Sequence, residues 1–127
     1  MYYNCSTGGD DVEWKNDRAI FLQVIDLFKK QVIKGEYQPG GKILSVREYG
    51  MTLGINPNTV VKVYEILTNE GLIVAKSTSG YYLTTDTSII ERLKPEFAKQ
   101  YQLEYLEQMG GIGYSKEEAI RLLKEEV

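Results

Sequence analysis

The sequence predicts a mainly α-helical protein with one small β-hairpin. Apolar residues recur at helical spacing between residues 20 and 33, and again between residues 89 and 106. Signals for two short consecutive helices lie between residues 46 and 70. The two apolar runs around "STSG" then predict a hairpin. Helix, helix, helix, hairpin is the element order of a winged helix-turn-helix, which we expect to be followed by a short two-helix C-terminal segment that mediates dimerisation.

The length and composition suit one compact domain with a small appendage. The chain has 127 residues, of which 43% are hydrophobic. We predict a flexible N-terminal arm over residues 1–16, a winged-helix domain over 17–85 and a helical dimerisation segment over 86–127. No apolar run is long enough to span a membrane, and "MYYNCSTGGDDVEWKND" lacks the regions of a signal peptide. We therefore expect a cytoplasmic protein without a membrane partner.

The residue inventory argues against catalysis and metal binding. The chain has no histidine and one cysteine, Cys5, which removes the commonest general base and any Cys-rich metal site. "GGIGY" follows no predicted strand and lacks the spacing of a phosphate loop. We expect no catalytic residue, no metal and no cofactor, and nothing favours an enzyme that uses carboxylates alone. Cys5 is interpreted as an incidental terminal thiol, with a redox or intermolecular role as the alternative.

Local signals set the bounds of the first two helices. In "DRAIFLQVIDLFKKQVIKGEY" one wide apolar face predicts a helix that Gly35 closes in the left-handed conformation. A turn follows at Pro39-Gly40-Gly41. Ser45 and Glu48 fit the S-x-x-E capping box, so a short helix should run from Val46 to Gly54.

The next helix has two distinct faces. Asn56 is a good N-cap and Pro57 a good first residue, so the helix should run to about Glu70, with Gly71 closing it. The inward stripe is expected to consist of Val60, Val63, Tyr64 and Leu67. The opposite face has the same spacing and carries Asn58, Val61, Lys62 and Glu65.

The outward face has the chemistry of a helix that reads DNA. Asn58 can pair bidentately with adenine, Val61 suits a thymine methyl group, and Lys62 can reach guanine or a phosphate. Asn56 and Thr59 can bind phosphates. The alternative is that this stretch only caps the helix and that Lys62 is a solvated surface lysine.

Two neighbouring elements could add contacts. The strands "LIVAK" and "YYLTT" enclose the turn "STSG", whose tip could lie along the adjacent groove, with Lys76 at its base and Ser79 and Gly80 as small residues. Arg47 lies in the first turn of the preceding helix, where it could reach a phosphate. A salt bridge with a nearby carboxylate such as Glu48 is an equally good interpretation.

Charge is unevenly distributed. The net charge is −3 and the pI is about 5.1. Residues 40–82 contain four basic and three acidic residues, whereas residues 83–127 contain six basic and nine acidic ones. An excess of one positive charge in residues 40–82 attracts DNA only weakly. We therefore expect that two copies of the protein must bind one duplex together.

The last third predicts two helices. Pro95 should kink or restart the first, "GGIGY" should end it, and Ser115 with Glu118 forms a second capping box that begins the next. We assign their apolar sides to dimerisation, although they could instead fold back on their own domain. The residues assigned are Ile89, Ile90, Leu93, Phe97, Tyr101, Tyr105, Leu106, Ile120 and Leu123.

Between Arg18 and Leu83 the sequence resembles the winged-helix reader of the GntR family of bacterial transcription regulators. The resemblance rests on "G-x-x-x-P-G", "S-V-R-E", "G-I-N-x-N-T-V" and "E-G-L-I". The short tail resembles the YtrA-like subfamily, where two helices replace a large effector domain and serve mainly in dimerisation. Two departures are that Leu44 stands where the family usually has proline, and that the wing "KSTSGYY" is less basic than usual.

The resemblance implies a homodimeric DNA-binding regulator. By the family's habit it would be a repressor, binding a two-fold operator in double-stranded DNA through the Asn56–Glu70 helix. No effector is identified. A winged-helix protein-interaction module that reads no DNA is the alternative function. Residues and resemblance together give the predicted DNA-binding set: Arg47, Asn56, Pro57, Asn58, Thr59, Val61, Lys62, Lys76, Ser79 and Gly80.

Overall fold

The computed structural model describes residues 13–126, so Cys5 and most of the expected arm lie outside the described residues. The elements are helices α1 (Ile20–Ile33), α2 (Val46–Leu53) and α3 (Pro57–Asn69), strands β1 (Ile73–Lys76) and β2 (Gly80–Leu83), and helices α4 (Thr87–Gly111) and α5 (Lys116–Glu126). The chain forms two compact units, one ending at Glu91 and the other beginning at Arg92. The predicted mainly helical class with a small antiparallel hairpin is confirmed.

α1 ends where the sequence predicts. Gly35 has a φ of +82°, a conformation that suits glycine because it lacks a Cβ atom. The Gly35 N–H donates to the Val32 carbonyl at 3.0 Å, and the Glu36 N–H donates to the Gln31 carbonyl at 3.0 Å. This pair of hydrogen bonds is the Schellman arrangement, which satisfies carbonyls that the helix itself leaves free.

The predicted capping box starts α2. The Ser45 hydroxyl oxygen accepts from the Glu48 N–H at 3.1 Å, and the Glu48 carboxylate accepts from the Ser45 N–H at 2.9 Å. These hydrogen bonds lower the pKa of Glu48 because they favour its charged form. Gly54 closes the helix with a φ of +68°.

α3 is held by its apolar face. Its inward residues Val60, Val63, Tyr64 and Leu67 are fully buried, as predicted. The Tyr64 ring lies 4.9 Å from the Tyr81 ring and 6.0 Å from the Tyr49 ring, measured between centroids. Burial of each such side chain contributes about 1.5–3 kcal/mol relative to exposure, so this face fixes which side of α3 meets solvent.

The hairpin forms, with slightly different bounds from those predicted. Ile73 pairs with Leu83 and Lys76 with Gly80, so Gly80 belongs to β2 and the loop is Ser77–Ser79. Thr84 lies beyond β2 rather than in it: its N–H donates to the Leu72 carbonyl at 2.8 Å.

A third segment pairs with the hairpin, which the sequence analysis did not predict. The Ile43 N–H donates to the Tyr81 carbonyl at 3.0 Å, and the Leu83 N–H donates to the Gly41 carbonyl at 2.9 Å. The stretch before α2 therefore covers the outer edge of β2 and satisfies backbone groups that an edge strand would leave open.

α4 runs without interruption through Pro95, so the predicted restart there is wrong. Proline removes one backbone donor, but the remaining hydrogen bonds of this 25-residue helix continue on both sides. α5 begins at the second predicted capping box, where the Ser115 hydroxyl oxygen accepts from the Glu118 N–H at 3.1 Å. The Tyr105 hydroxyl donates to the Ala119 carbonyl at 2.8 Å and ties α5 to α4.

Candidate nucleic-acid interface

A tight turn sets the geometry of α2 and α3. The Ile55 N–H donates to the Gly50 carbonyl at 3.0 Å. A Cβ atom at Gly50 would lie 3.1 Å from the Ile55 carbonyl oxygen, so glycine permits this close approach. The Asn56 side-chain oxygen accepts from the Asn58 N–H at 2.8 Å, which is the predicted N-cap. The turn and the cap together direct the first turn of α3 into solvent.

The outward face of α3 forms as the spacing predicts. Asn58, Lys62 and Glu65 are exposed, and Val61 is 42% exposed although it is apolar. Asn56 and Pro57 are also exposed, whereas Thr59 is only partly so. The helix therefore presents an amide, an isopropyl group and an ammonium group side by side.

Lys62 has a contact that the sequence analysis missed. Its Nζ atom lies 3.8 Å from the centroid of the Phe21 ring on α1, within the range of a cation–π interaction. Within residues 13–126, no Asp or Glu carboxylate forms an ion pair with Lys62. A shallow notch with a volume of about 330 Å³ opens here, lined by Ile20, Phe21, Asn58, Thr59 and Lys62. No local pattern signals this contact, because it joins two helices that are distant in sequence.

Arg47 is exposed in the first turn of α2. The Glu48 carboxylate is occupied by the capping box, and no ion pair between Arg47 and Glu48 forms. No other Asp or Glu in the described part of the chain pairs with Arg47 either. Its guanidinium group therefore retains its five donors for a ligand.

The wing carries Lys76, and a second lysine lies beside it. Lys76 Nζ lies 4.6 Å from the centroid of the Tyr82 ring, and the Ser79 hydroxyl donates to the Lys76 carbonyl at 2.8 Å. Gly80 has a φ of +120°, and a Cβ atom there would lie 3.2 Å from Lys42 Cε. Lys42, which the sequence analysis did not assign, thus lies beside the wing because the segment before α2 pairs with β2.

Two of the acidic residues in the stretch 40–82 have partners within the domain. The four basic residues of the stretch 40–82 are all exposed: Lys42, Arg47, Lys62 and Lys76. Of its three acidic residues, Glu70 pairs with Lys29 on α1 at 3.0 Å, and Glu48 is held in the capping box. Both carboxylates keep their negative charge, and Glu65 adds a third on the exposed face of α3.

The part of the chain that the structure describes contains neither a metal-binding cluster nor a membrane-spanning helix. Residues 13–126 hold no cluster of three or more His, Cys, Asp or Glu side chains arranged for a metal ion. No helix among them is both long and apolar enough to cross a membrane.

Comparison with known proteins identifies relatives of similar sequence. The family model described as "Bacterial regulatory proteins, gntR family" matches residues 21–83. An uncharacterised HTH-type transcriptional regulator of Bacillus subtilis, YhcF, is 26% identical over 114 residues, which cover 90% of this chain and 94% of that protein. The HTH-type transcriptional repressor YtrA of the same organism is 34% identical over 82 residues, 63% of each chain.

A solved structure extends the likeness over nearly the whole chain. A GntR family transcriptional regulator from Listeria monocytogenes superposes with a TM-score of 0.78 at 31% sequence identity, covering 88% of this chain and 98% of that one. These relatives are transcriptional regulators rather than enzymes. The match includes α1 to β2, where the solvent face of α3 lies, as well as the helical tail. The chain belongs to the GntR family of bacterial transcriptional regulators, with a DNA-binding winged helix-turn-helix domain.

Proposed function

We propose that the protein is a homodimeric repressor that binds a two-fold operator in double-stranded DNA, with α3 of each subunit in the major groove. The orientation of α3 carries this proposal. Four fully buried side chains fix its inner face against the domain, so Asn58 and Val61 face solvent, and Lys62 lies on the same exposed side of the helix. Half-sites would be centred about one helical turn apart, as for other helix-turn-helix dimers.

Asn58 is the proposed base reader. Its side chain is exposed, and its backbone N–H is already satisfied by the Asn56 cap. The side-chain amide of Asn58 can pair bidentately with adenine. Val61, three residues further along the same face, can contact a thymine methyl group. Pro57 and Thr59 flank Asn58 at the helix start, where the helix dipole favours a phosphate.

Arg47 and the wing supply proposed phosphate contacts. Arg47 is free of carboxylate partners in the described region, and Lys76 is exposed at the end of β1. The Ser79 hydroxyl donates to the Lys76 carbonyl, so Ser79 stabilises the turn at the tip of the wing. Gly80, which has no side chain, allows the backbone to approach DNA. Contacts of this kind position the protein on DNA without reading its sequence.

The C-terminal unit supports dimerisation. Apolar side chains there remain exposed in the single chain, among them Ile112 at 72% and Leu103 at 58%. The others are Tyr101, Tyr114, Ile120 and Leu123. Exposed apolar side chains mark an interaction surface where they adjoin one another, and we propose that these meet the same side chains of a second subunit. Leu93 and Phe97, two of the predicted dimer contacts, are only 5% and 8% exposed and can give little further area to a partner.

We further propose that the protein represses transcription and acts in the cytoplasm. The relative YtrA is named a repressor, and a bound dimer can repress by covering a promoter. A regulator of bacterial DNA acts where that DNA lies, in the cytoplasm.

Binding to the chain's own upstream DNA tests the proposal. The wild-type protein should shift an upstream fragment at about 50 mM salt and lose orders of magnitude in affinity by about 200 mM. Asn58→Ala should cost roughly 1–3 kcal/mol on the bound site. Asn69→Ala, at the other end of α3, is the matched control and should bind normally. No shift at low salt would favour the protein-interaction module instead.

A further inference from the structure

Phe21 lies on the apolar side of α1 but is only partly buried. We infer that Phe21 is a positioning residue for DNA binding: its ring holds the Lys62 ammonium in the notch between α1 and α3, where the cation meets a backbone phosphate. This inference rests on the proposed function and assigns a ligand to one part of it. Phe21 itself does not need to touch DNA.

The contact geometry supports a held cation. Lys62 Nζ lies 3.8 Å from the Phe21 centroid, well inside the roughly 6 Å limit for cation–π attraction. No carboxylate among residues 13–126 competes for Lys62. A free lysine samples many rotamers, whereas the ring favours those that place the charge beside it.

Phe21 is less buried than its neighbours on the same side of α1. Val24 and Phe28, on the same side of the helix, are fully buried, but Phe21 keeps part of its surface exposed. Its ring therefore has a face that core packing does not use. The Lys62 ammonium occupies that region, which explains why an aromatic residue rather than a small apolar one is useful there.

The surroundings of the cation favour a phosphate over a base edge. The other lining side chains of the notch, Ile20, Asn58 and Thr59, are uncharged. Lys62 bends toward α1, to the flank of the reading helix, rather than extending from α3 as a base reader would. Phosphates line the flanks of a groove, and a compact ammonium suits them as a point charge. Lys62 would therefore anchor DNA while Asn58 reads a base.

Holding the Lys62 ammonium near its bound position should raise the affinity for DNA by a small factor. A side chain already held near its bound position loses less freedom when DNA arrives. From the strength of exposed cation–π contacts, removing the ring should weaken DNA binding by about two- to fivefold.

The test is a double-mutant cycle on the full chain, using an upstream duplex that the wild-type protein binds. Phe21→Leu should bind the duplex about two- to fivefold more weakly than the wild-type protein. Phe21→Tyr keeps an aromatic ring and should retain wild-type affinity. In a Lys62→Met background the Phe21→Leu change should have no further effect.

Lys62→Met should lower the salt slope of binding by about 0.9, the value for one phosphate, and leave base preference unchanged. Leu22→Ala, at the exposed neighbour on α1, is the matched control.

Three results would overturn the inference: tighter binding by Phe21→Leu, additive losses in the double variant, or a Lys62→Met variant that changes base preference at a constant salt slope. Phe21→Met provides a second ring-free variant if Phe21→Leu lowers the melting temperature. Wild-type binding that depends on Asn58 but shows no Phe21–Lys62 coupling refutes this inference alone. Absence of wild-type binding refutes the proposed function as well.

Discussion

The Tyr64 hydroxyl donates a hydrogen bond of 2.8 Å to the backbone carbonyl oxygen of Leu44. Tyr64 lies on the buried face of α3, and Leu44 directly precedes the Ser45 cap of α2. The bond therefore fixes the reading helix against the start of the helix that carries Arg47. Burial raises the pKa of Tyr64, so its hydroxyl remains a donor even at alkaline pH values that ionise an exposed tyrosine.

Tyr64→Phe should destabilise the domain by about 1–2 kcal/mol, because it leaves the Leu44 carbonyl without this donor. Urea denaturation followed by circular dichroism would measure the change in the free energy of unfolding. Tyr114→Phe removes the same group from an exposed ring in the C-terminal unit and should have little effect. Equal effects in the two variants would contradict the importance of the Leu44 hydrogen bond.

Alkaline pH should destabilise the fold through Tyr37. Burial, and then the charge of Glu36, raise the pKa of Tyr37 from 10.0 to about 12. Above pH of about 10 the unfolded chain loses this proton while the folded chain retains it, so the free energy of unfolding falls as pH rises toward 12. Unfolding by urea at several pH values should show a shallower fall for Tyr37→Phe than for the wild-type chain. Parallel curves would show that Tyr37 does not contribute.

Most helix boundaries could be predicted because their signals are local. The capping boxes at Ser45 and Ser115 each need only two side chains three residues apart, and both form as the sequence indicates. The two faces of α3 follow from helical periodicity alone. The outward direction of the predicted reading residues Asn58 and Val61 could therefore be predicted without knowledge of the tertiary packing.

Contacts between distant segments could not be predicted in the same way. Periodicity places Phe21 on the apolar side of α1, but only the crossing of α1 and α3 decides that its ring meets Lys62. The pairing of Ile43 with Tyr81 likewise depends on how the chain returns to the hairpin. The predicted restart at Pro95 is wrong because the 25-residue helix continues on both sides of the proline, which the local penalty alone does not reveal.

Substitution on α5 should test the proposed dimer. Ile120→Glu combined with Leu123→Glu places two charges on exposed apolar positions and should give a particle of the single-chain mass, 14.5 kDa, by light scattering. The wild-type chain should have twice that mass. Arg121→Glu, an exposed position on the same helix, also adds negative charge and should leave the dimer intact. A double variant that retains the wild-type mass would exclude α5 from the interface.

The wing should contribute affinity without sequence preference. Lys76→Met removes the charge held beside the Tyr82 ring, so it should weaken binding to all DNA sequences and lower the salt slope by about 0.9 if one phosphate is contacted. Titration of operator and unrelated duplexes at several salt concentrations would measure both effects. Lys34→Met makes the same change of net charge just beyond the far end of α1, about 20 Å along the helix from Phe21. Equal losses in the two variants would mean that net charge, rather than a wing contact, accounts for the effect, whereas a loss confined to Lys76→Met would place the hairpin against DNA.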